Sequence, residues 1–409
     1  MMIARTLPLT VGDSTMTVEH RKLPYAPGGA MIHLSRFCGA SGVVEAHLTV
    51  IPDAAGSIQD HLGLVENAYR AALASIGLDA QSAVWRRFFC SDIANQASIL
   101  ASHGFAGCAN PHDPCAVSYV GQSPLATAKL ALWACHIIDP VGPLEKSHDG
   151  TTLSLRRGDL NHLWSTNLAA SDEASTTDQT HALFTNYVAH LNGRGLTLAD
   201  AVVRTWLFQP NIDLDYHDMC ETRREFFAAH GLTADTHFIA STGIAAAHTL
   251  PTTRVFMDAY AIAGLRPQQV HHLASLDHLG PTYDYGVTFE RATAISYQDR
   301  TQVWISGTAS IDPKGDIVHP GDVVRQLVRV LSNIDGLLAA AGAGLSDMLV
   351  FLVYLRDPTD HARILPTLRE RLGDAPLVIL DAPVCRPGWL IEIEGMATVP
   401  AHHPELPPF

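Results

Sequence analysis

IDGLLAAAGAGLSDMLVFLVYLRDP, residues 334–358, reads as an apolar helix, a glycine stop and a strand. Its apolar residues recur at helical spacing up to Ala341. Gly342 suits the left-handed position that ends a helix. MLVFLVYL is then β-branched and aromatic, as a buried strand should be. The pattern occurs twice more: YVAHLNGRGLTLADAVVRTWLFQPNI at residues 187–212, and AYRAALASIGLDAQSAVWRRFFCSDI at residues 68–93. Superposing Gly77, Gly195 and Gly342 aligns Ser82, Asp200 and Asp347, and places Arg86, Arg204 and Phe351 in one column. A supersecondary unit repeated within one chain is the strongest organising signal a sequence offers.

Working outward, each copy is preceded by a hairpin and followed by a second helix and two more strands. In the third copy the hairpin runs over residues 293–297 and 303–306, turned by Gln298, Asp299 and Arg300; its later strands are expected at 378–382 and 389–397. In the second copy the helix is expected at 216–230 and the strands at 237–240 and 255–262; in the first, the strands are expected at 116–120 and 130–138. The expected fold is therefore α+β: three tandem β-β-α-β-α-β-β units, with sheets packed inward and helices outside. Turn-rich stretches near residues 143–151 and 279–281 place the units at 1–145, 146–279 and 280–409.

Composition narrows the function. A formal net charge of −14 repels phosphate backbones, and the best basic pair, Arg223–Arg224, is flanked by Glu221 and Glu225, so nucleic acid is not expected as a partner. No apolar run is long enough to span a bilayer, and residues 1–13 lack the pattern of a signal peptide. Seven scattered cysteines without a CxxC pair argue for a reducing, cytoplasmic setting and against a structural zinc. The 22 histidines include no HExxH, and His271–His272 are adjacent and so diverge; no metal is expected. The sequence has no Gly-rich phosphate loop or dinucleotide fingerprint, and no cofactor is implied.

The motif order resembles the Rid (YjgF/L-PSP-like) family. The resemblance is carried by SGTASID at residues 306–312, HPGDV at 319–323, Asn333–Ile334, VYLRD at 353–357 and EIEGMA at 392–397. It implies a chorismate-mutase-like α+β fold whose trimers form clefts between subunits, so three copies in one chain imply a covalent pseudo-trimer, alone or in a weak homo-oligomer. Rid imine deaminases carry an Arg fifteen residues before the first Glu of the EIE strand; here that position is Leu377. VCRPGWLIEIEG (residues 384–395), RTW (204–206), Tyr216 with Arg223, ASTGI (240–244) and FERA (289–292) resemble instead the chorismatase branch. That branch implies hydrolysis of the enolpyruvyl ether of a small anionic substrate, with Glu392 as the acid and Arg204 and Arg386 holding carboxylates. It further implies that Cys385 goes with a hydroxybenzoate product. Rid-type imine hydrolysis and a non-catalytic binding assembly are the alternatives.

The residues can also be read without any family. On the strand containing Glu392 and Glu394, period two puts both carboxylates on one face. In the other copies the Glu392 column holds Ala131 and Phe256, which makes a solvated face an odd choice and a raised carboxyl pKa the expectation. Glu394 shares its column with Asp258 and reads as structural. Cys385 is either a small buried hydrophobe or a thiol influenced by Arg386. Arg386 is an anion fork or a surface ion pair. Arg204, set inside an apolar strand, is either a partner of Asp213 or Asp215 or a carboxylate clamp facing the third unit. Gly307 and Thr308 form a turn whose backbone can approach a ligand. Only the third unit has the acid, and only the second pairs RTW with a following Tyr216 and Arg223. Because Rid clefts form where one unit's terminal strand meets its neighbour's sheet, the resemblance then implies a cleft between those two units; the first is expected to be structural.

Overall fold

The computed structural model describes residues 16–107, 114–125, 127–170 and 172–409. Residues 1–13 and Cys108 lie outside the described residues. The first unit contains β1 (Glu19–Leu23), β2 (Ala30–Cys38), β3 (Val44–Pro52), α1 (Ile58–Ser75), β4 (Ala83–Cys90), α2 (Ile93–Ser102), β5 (Ala116–Val120), β6 (Ser123–Pro124) and β7 (Leu130–Ile138). The second contains β8 (Glu145–His148), β9 (Thr152–Arg157), β10 (Leu160–Ala169), α3 (Thr176–Asn192), α4 (Leu198–Ala201), β11 (Val202–Gln209), α5 (Ile212–Ala229), β12 (Ala240–Ala245) and β13 (Phe256–Ala263). The third contains β14 (Val270–Leu273), β15 (Ala292–Ser296), β16 (Arg300–Ala309), α6 (Val323–Ala339), β17 (Met348–Leu355), α7 (His361–Leu372), β18 (Leu377–Asp381) and β19 (Ile391–Pro400).

The glycine stops behave as their conformational freedom requires. Gly77, Gly195 and Gly342 have φ of 72°, 71° and 70°, and after each the chain folds back so that Leu78, Leu196 and Ala343 donate to Leu73, Leu191 and Leu338. Each following strand is the inner member of a mixed sheet: β7 against β4, β13 against β11 and β19 against β17 are antiparallel, while β5, β12 and β18 add in parallel. The fold is mixed α+β, with three such sheets.

Helices cover one face of each sheet. The other face meets the neighbouring units, so MLVFLVYL is buried at every position. One apolar cluster runs through all three sheets, while separate clusters lie under the helices of the first and second units. The sheets are also stitched at their edges. β6 of the first unit pairs with β18 of the third. Single bridges join Gly121 to Ala247, Ala240 to Glu290 and Ile244 to Val384.

Three local readings change. The second-unit strand expected at 237–240 is β12, which begins at Ala240 and contains the ASTGI motif. β14 lies in sequence expected for the second unit yet pairs with β15. Arg204 does not share a column with Arg86 and Phe351. Opposite the inner strand, Arg204 faces Tyr260 as Trp85 faces Cys135 and Val350 faces Met396. The cause is α4, whose four residues replace the three-residue turns Ala80–Ser82 and Leu345–Asp347. One extra residue reverses which face a side chain meets. Arg86 therefore turns to Phe105 on the helix side, and Arg204 turns toward the third unit.

Candidate active site

A cleft of about 470 Å³ lies between the second and third units. From the second unit, α5 supplies Tyr216 and Arg223, seven residues and about two turns apart and so on one helix face, and β12 supplies Ser241, Thr242 and Gly243. From the third unit come Arg291 ahead of β15, Gly307 and Ala309 on β16, Cys385, Arg386 and Trp389 on the β18–β19 loop, and Glu392 on β19.

The β18–β19 loop is held at several points. Ala245 N–H donates to the Pro383 carbonyl (3.1 Å), Arg356 donates to the Val384 carbonyl (2.6 Å), and Gln326 donates to Gly388 (3.1 Å) and accepts from Leu390 (2.9 Å). This fixation sets Arg386 over the Trp389 ring at 5.3 Å. Arg291 donates to the Gly280 carbonyl through Nη2 (2.9 Å) and lies 5.5 Å over Phe289.

Glu392 is 3% exposed, and its carboxyl accepts no hydrogen bond from any described residue. Burial first, and then the charge of Glu394, push its carboxyl from 4.5 to about 8, against the opposing pull of Arg204 and Arg291. At neutral pH it carries a proton. Gly307 is required by this placement, because a Cβ there would fall 2.1 Å from Glu392 Oε1. Tyr216 and Cys385 are also shifted upward, chiefly by burial. The Cys385 thiol, half-buried and beside Glu392, stays protonated rather than becoming a thiolate.

Two expected site residues are absent from the cleft wall. Arg204 is 1% exposed, and its guanidinium pairs with Glu394 and Thr242. A buried guanidinium needs a buried counter-charge. That partner is Glu394, not Asp213 or Asp215; Asp213 pairs with Arg356. Thr308 is buried and donates to the Ser306 carbonyl (2.9 Å), turned away by the bulge between Ile305 and Thr308. The structure brings Tyr216, Arg223, Cys385, Arg386, Gly307 and Glu392 together and adds Arg291, Ser241, Thr242, Gly243 and Trp389. Arg291 and Thr242 belong to FERA and ASTGI, but nothing in sequence shows that these segments touch. Their contact is the Ala240–Glu290 bridge, reinforced by Ser306, whose Oγ accepts from Ser241 N–H (2.9 Å) and donates to the Glu290 carbonyl (2.6 Å).

The corresponding junctions carry no acid in this column. Between the first and second units, Phe256 stands in the acid column and Asn167 in that of Gly307. The Asn167 side chain accepts from Tyr119 N–H (2.9 Å) and donates to the Val117 carbonyl (2.8 Å), lacing the units together. Between the third and first units, Ala131 occupies the acid column and β6 closes the edge of β18.

Metal-ligating atoms within 4.8 Å of one another occur among the described residues at Glu45, His47 and Cys135. These line a second cavity, of about 360 Å³, where the three sheets meet. Trp133 Nε1 donates to His47 Nδ1 (3.1 Å), so the neutral imidazole carries its proton on Nε2, 3.5 Å from Glu45 Oε1. It offers an N–H where a metal needs a lone pair. Glu45 also accepts from Gln302 (2.9 Å) and Thr398 (3.2 Å) of the third unit, so the group reads as a joint between units.

The model of the endoribonuclease L-PSP family matches residues 292–399. A RutC family protein of Pyrococcus horikoshii is 36% identical over 97 residues, covering 23% of this chain and 77% of that protein. The chain belongs to the Rid/L-PSP superfamily. A 3-hydroxybenzoate synthase of Streptomyces hygroscopicus is 32% identical over 224 residues, which cover 48% of this Rid chain and 63% of that relative, under two thirds of its length. The crystal structure of a chorismatase superposes with a TM-score of 0.60 at 20% identity, covering 78% of this chain and 93% of its own. The likeness to that chorismatase in fold therefore reaches well beyond the Rid unit matched by the family model.

Proposed function

We propose that this chain is a chorismatase-like enzyme that removes pyruvate from the enolpyruvyl ether of chorismate or a closely similar carboxylated substrate. The observation that carries the reading is one buried carboxyl, protonated up to about pH 8, in a cleft also lined by Arg223, Arg291 and Arg386. The three guanidinium groups suit a substrate with more than one carboxylate. Glu392 delivers its proton to the methylene carbon of the enol ether, and the electron pair of that double bond forms the new C–H bond. The resulting oxocarbenium ion takes up water, and the hemiketal releases pyruvate and a ring alcohol. Loss of water from that ring gives a hydroxybenzoate, so the water added and the water lost cancel overall. The similarity to the 3-hydroxybenzoate synthase and Cys385 beside the acid support the aromatic product.

The test is incubation of the full chain with chorismate, with pyruvate measured enzymatically and ring products separated by chromatography. Equimolar pyruvate and hydroxybenzoate are expected. Pyruvate with a non-aromatic diol would remove the product assignment and keep the ether cleavage. Neither product, together with ammonia release from an enamine or imine, would overturn the proposal in favour of Rid-type deamination.

A further inference from the structure

We propose that Glu394 is a positioning residue: a carboxyl group fixed between the second and third units that keeps the proton on Glu392. The inference rests on the reading of Glu392 as the acid. Alternation along β19 sets the two carboxyl groups side by side on one face. Their surroundings differ sharply. Glu394 accepts from the Arg204 guanidinium, the Thr242 hydroxyl, Trp206 Nε1 (3.0 Å) and the Tyr354 hydroxyl (2.7 Å). The Thr242 oxygen also accepts from Gly307 N–H (2.9 Å), so its single proton goes to Glu394. Four donors thus converge on one carboxyl and fix it in place. Glu392 has no such donors among the described residues.

The charges facing Glu392 come from several elements. Arg204 on β11 and Arg291 ahead of β15 favour ionisation. Burial opposes it, as does Glu394 on β19. Tyr216 and Arg223 on α5 and Cys385 and Arg386 on the β18–β19 loop line the rest of the cleft, and Tyr354 of β17 lies behind it, bonded to Glu394. Glu394 acts twice: it repels a second negative charge and it neutralises Arg204, the nearby cation otherwise best placed to draw off the proton. The comparison within the chain separates this from simple cross-linking. Asp258 holds the Glu394 column in the second unit and ties Arg87 and Ser118 of the first (2.8 and 2.5 Å). There the neighbouring column holds Phe256, so the lock exists without an acid to tune. Only in the third unit does the lock sit beside an ionisable group.

The test is Glu394→Gln in the full chain, labelled with ¹³C at glutamate side-chain carboxyls and titrated by NMR, with the Glu392 signal identified by its loss in Glu392→Gln. The Glu392 midpoint is expected to fall by about one unit or more. Should Gln at this position prevent folding by leaving Arg204 unpaired, the double variant Arg204→Met/Glu394→Gln removes both charges; its midpoint should also lie below that of the parent chain. An unchanged midpoint in whichever variant folds overturns the inference and leaves Glu394 a structural lock. A midpoint in the ordinary carboxylate range in the parent chain itself would instead overturn the reading of Glu392 as the acid. Neither outcome depends on the substrate.

Discussion

Replacing Glu392 by Gln keeps the shape of the side chain and removes its ionisation, so it separates two consequences of burying this acid. The folded carboxyl titrates at about 8 and the unfolded one at 4.5. Between those values the native state holds a proton that the unfolded state has lost, so parent stability falls as pH rises. The contribution is complete below pH 4.5 and gone above about 8. At roughly 1.4 kcal/mol per unit, the full difference is on the order of 5 kcal/mol, of which about 3 kcal/mol is expressed by pH 7. Glu392→Gln never meets this penalty. The variant and the parent should be nearly equal in stability at pH 4.5, and the variant should gain progressively up to pH 8.5. Urea unfolding of both chains across that range, followed by tryptophan fluorescence, measures the difference, and titrations common to both cancel. Turnover should move the opposite way, with the variant inactive at every pH and the parent losing activity as pH passes about 8. A stability difference that stays flat with pH would refute the burial argument, whatever happens to activity.

Arg204→Ala should destabilise the fold by about 3–5 kcal/mol by leaving Glu394 buried without its counter-charge, so its first effect is a lower unfolding midpoint rather than a higher KM. Gly307→Ala should leave the fold intact but push the Glu392 carboxyl aside, lowering kcat on the order of 100-fold; a variant with parental kcat would show that the acid does not need this position. Arg386→Gln should raise KM for a carboxylated substrate more than it lowers kcat, since it removes one fork and leaves the acid in place; an unchanged KM would take Arg386 out of substrate binding. Asn167→Ala should lower the unfolding midpoint by weakening the junction between the first and second units and create no new activity, because Phe256 still occupies the acid column; turnover at that junction would contradict the single-acid argument.

Much of the fold was legible from periodicity. Helix, glycine and strand follow from local rules: Gly77, Gly195 and Gly342 each adopt the left-handed conformation their place demands. The column of Glu392 was also legible. Ala131 and Phe256 at the same register are apolar, and all three positions are buried. What local pattern could not supply was the effect of one inserted residue. Aligning the glycines put Arg204 with Arg86, whereas the four-residue α4 shifts the strand by one and sends the two arginines to opposite faces.

Sequence by itself determined that three similar units exist and that only one carries an acid in the decisive column. It also raised the expectation that a neighbouring unit supplies Tyr216 and Arg223. Tertiary structure decided which cations line the cleft and which are buried away from it. Arg204 and Arg291 are both buried arginines near strand ends in sequence. Packing pairs the first with Glu394 and holds the second against the Gly280 carbonyl on the cleft wall. The reason is physical: whether a charge is available depends on the partner within a few ångströms, and here the nearest partners lie as far as 190 residues away along the chain.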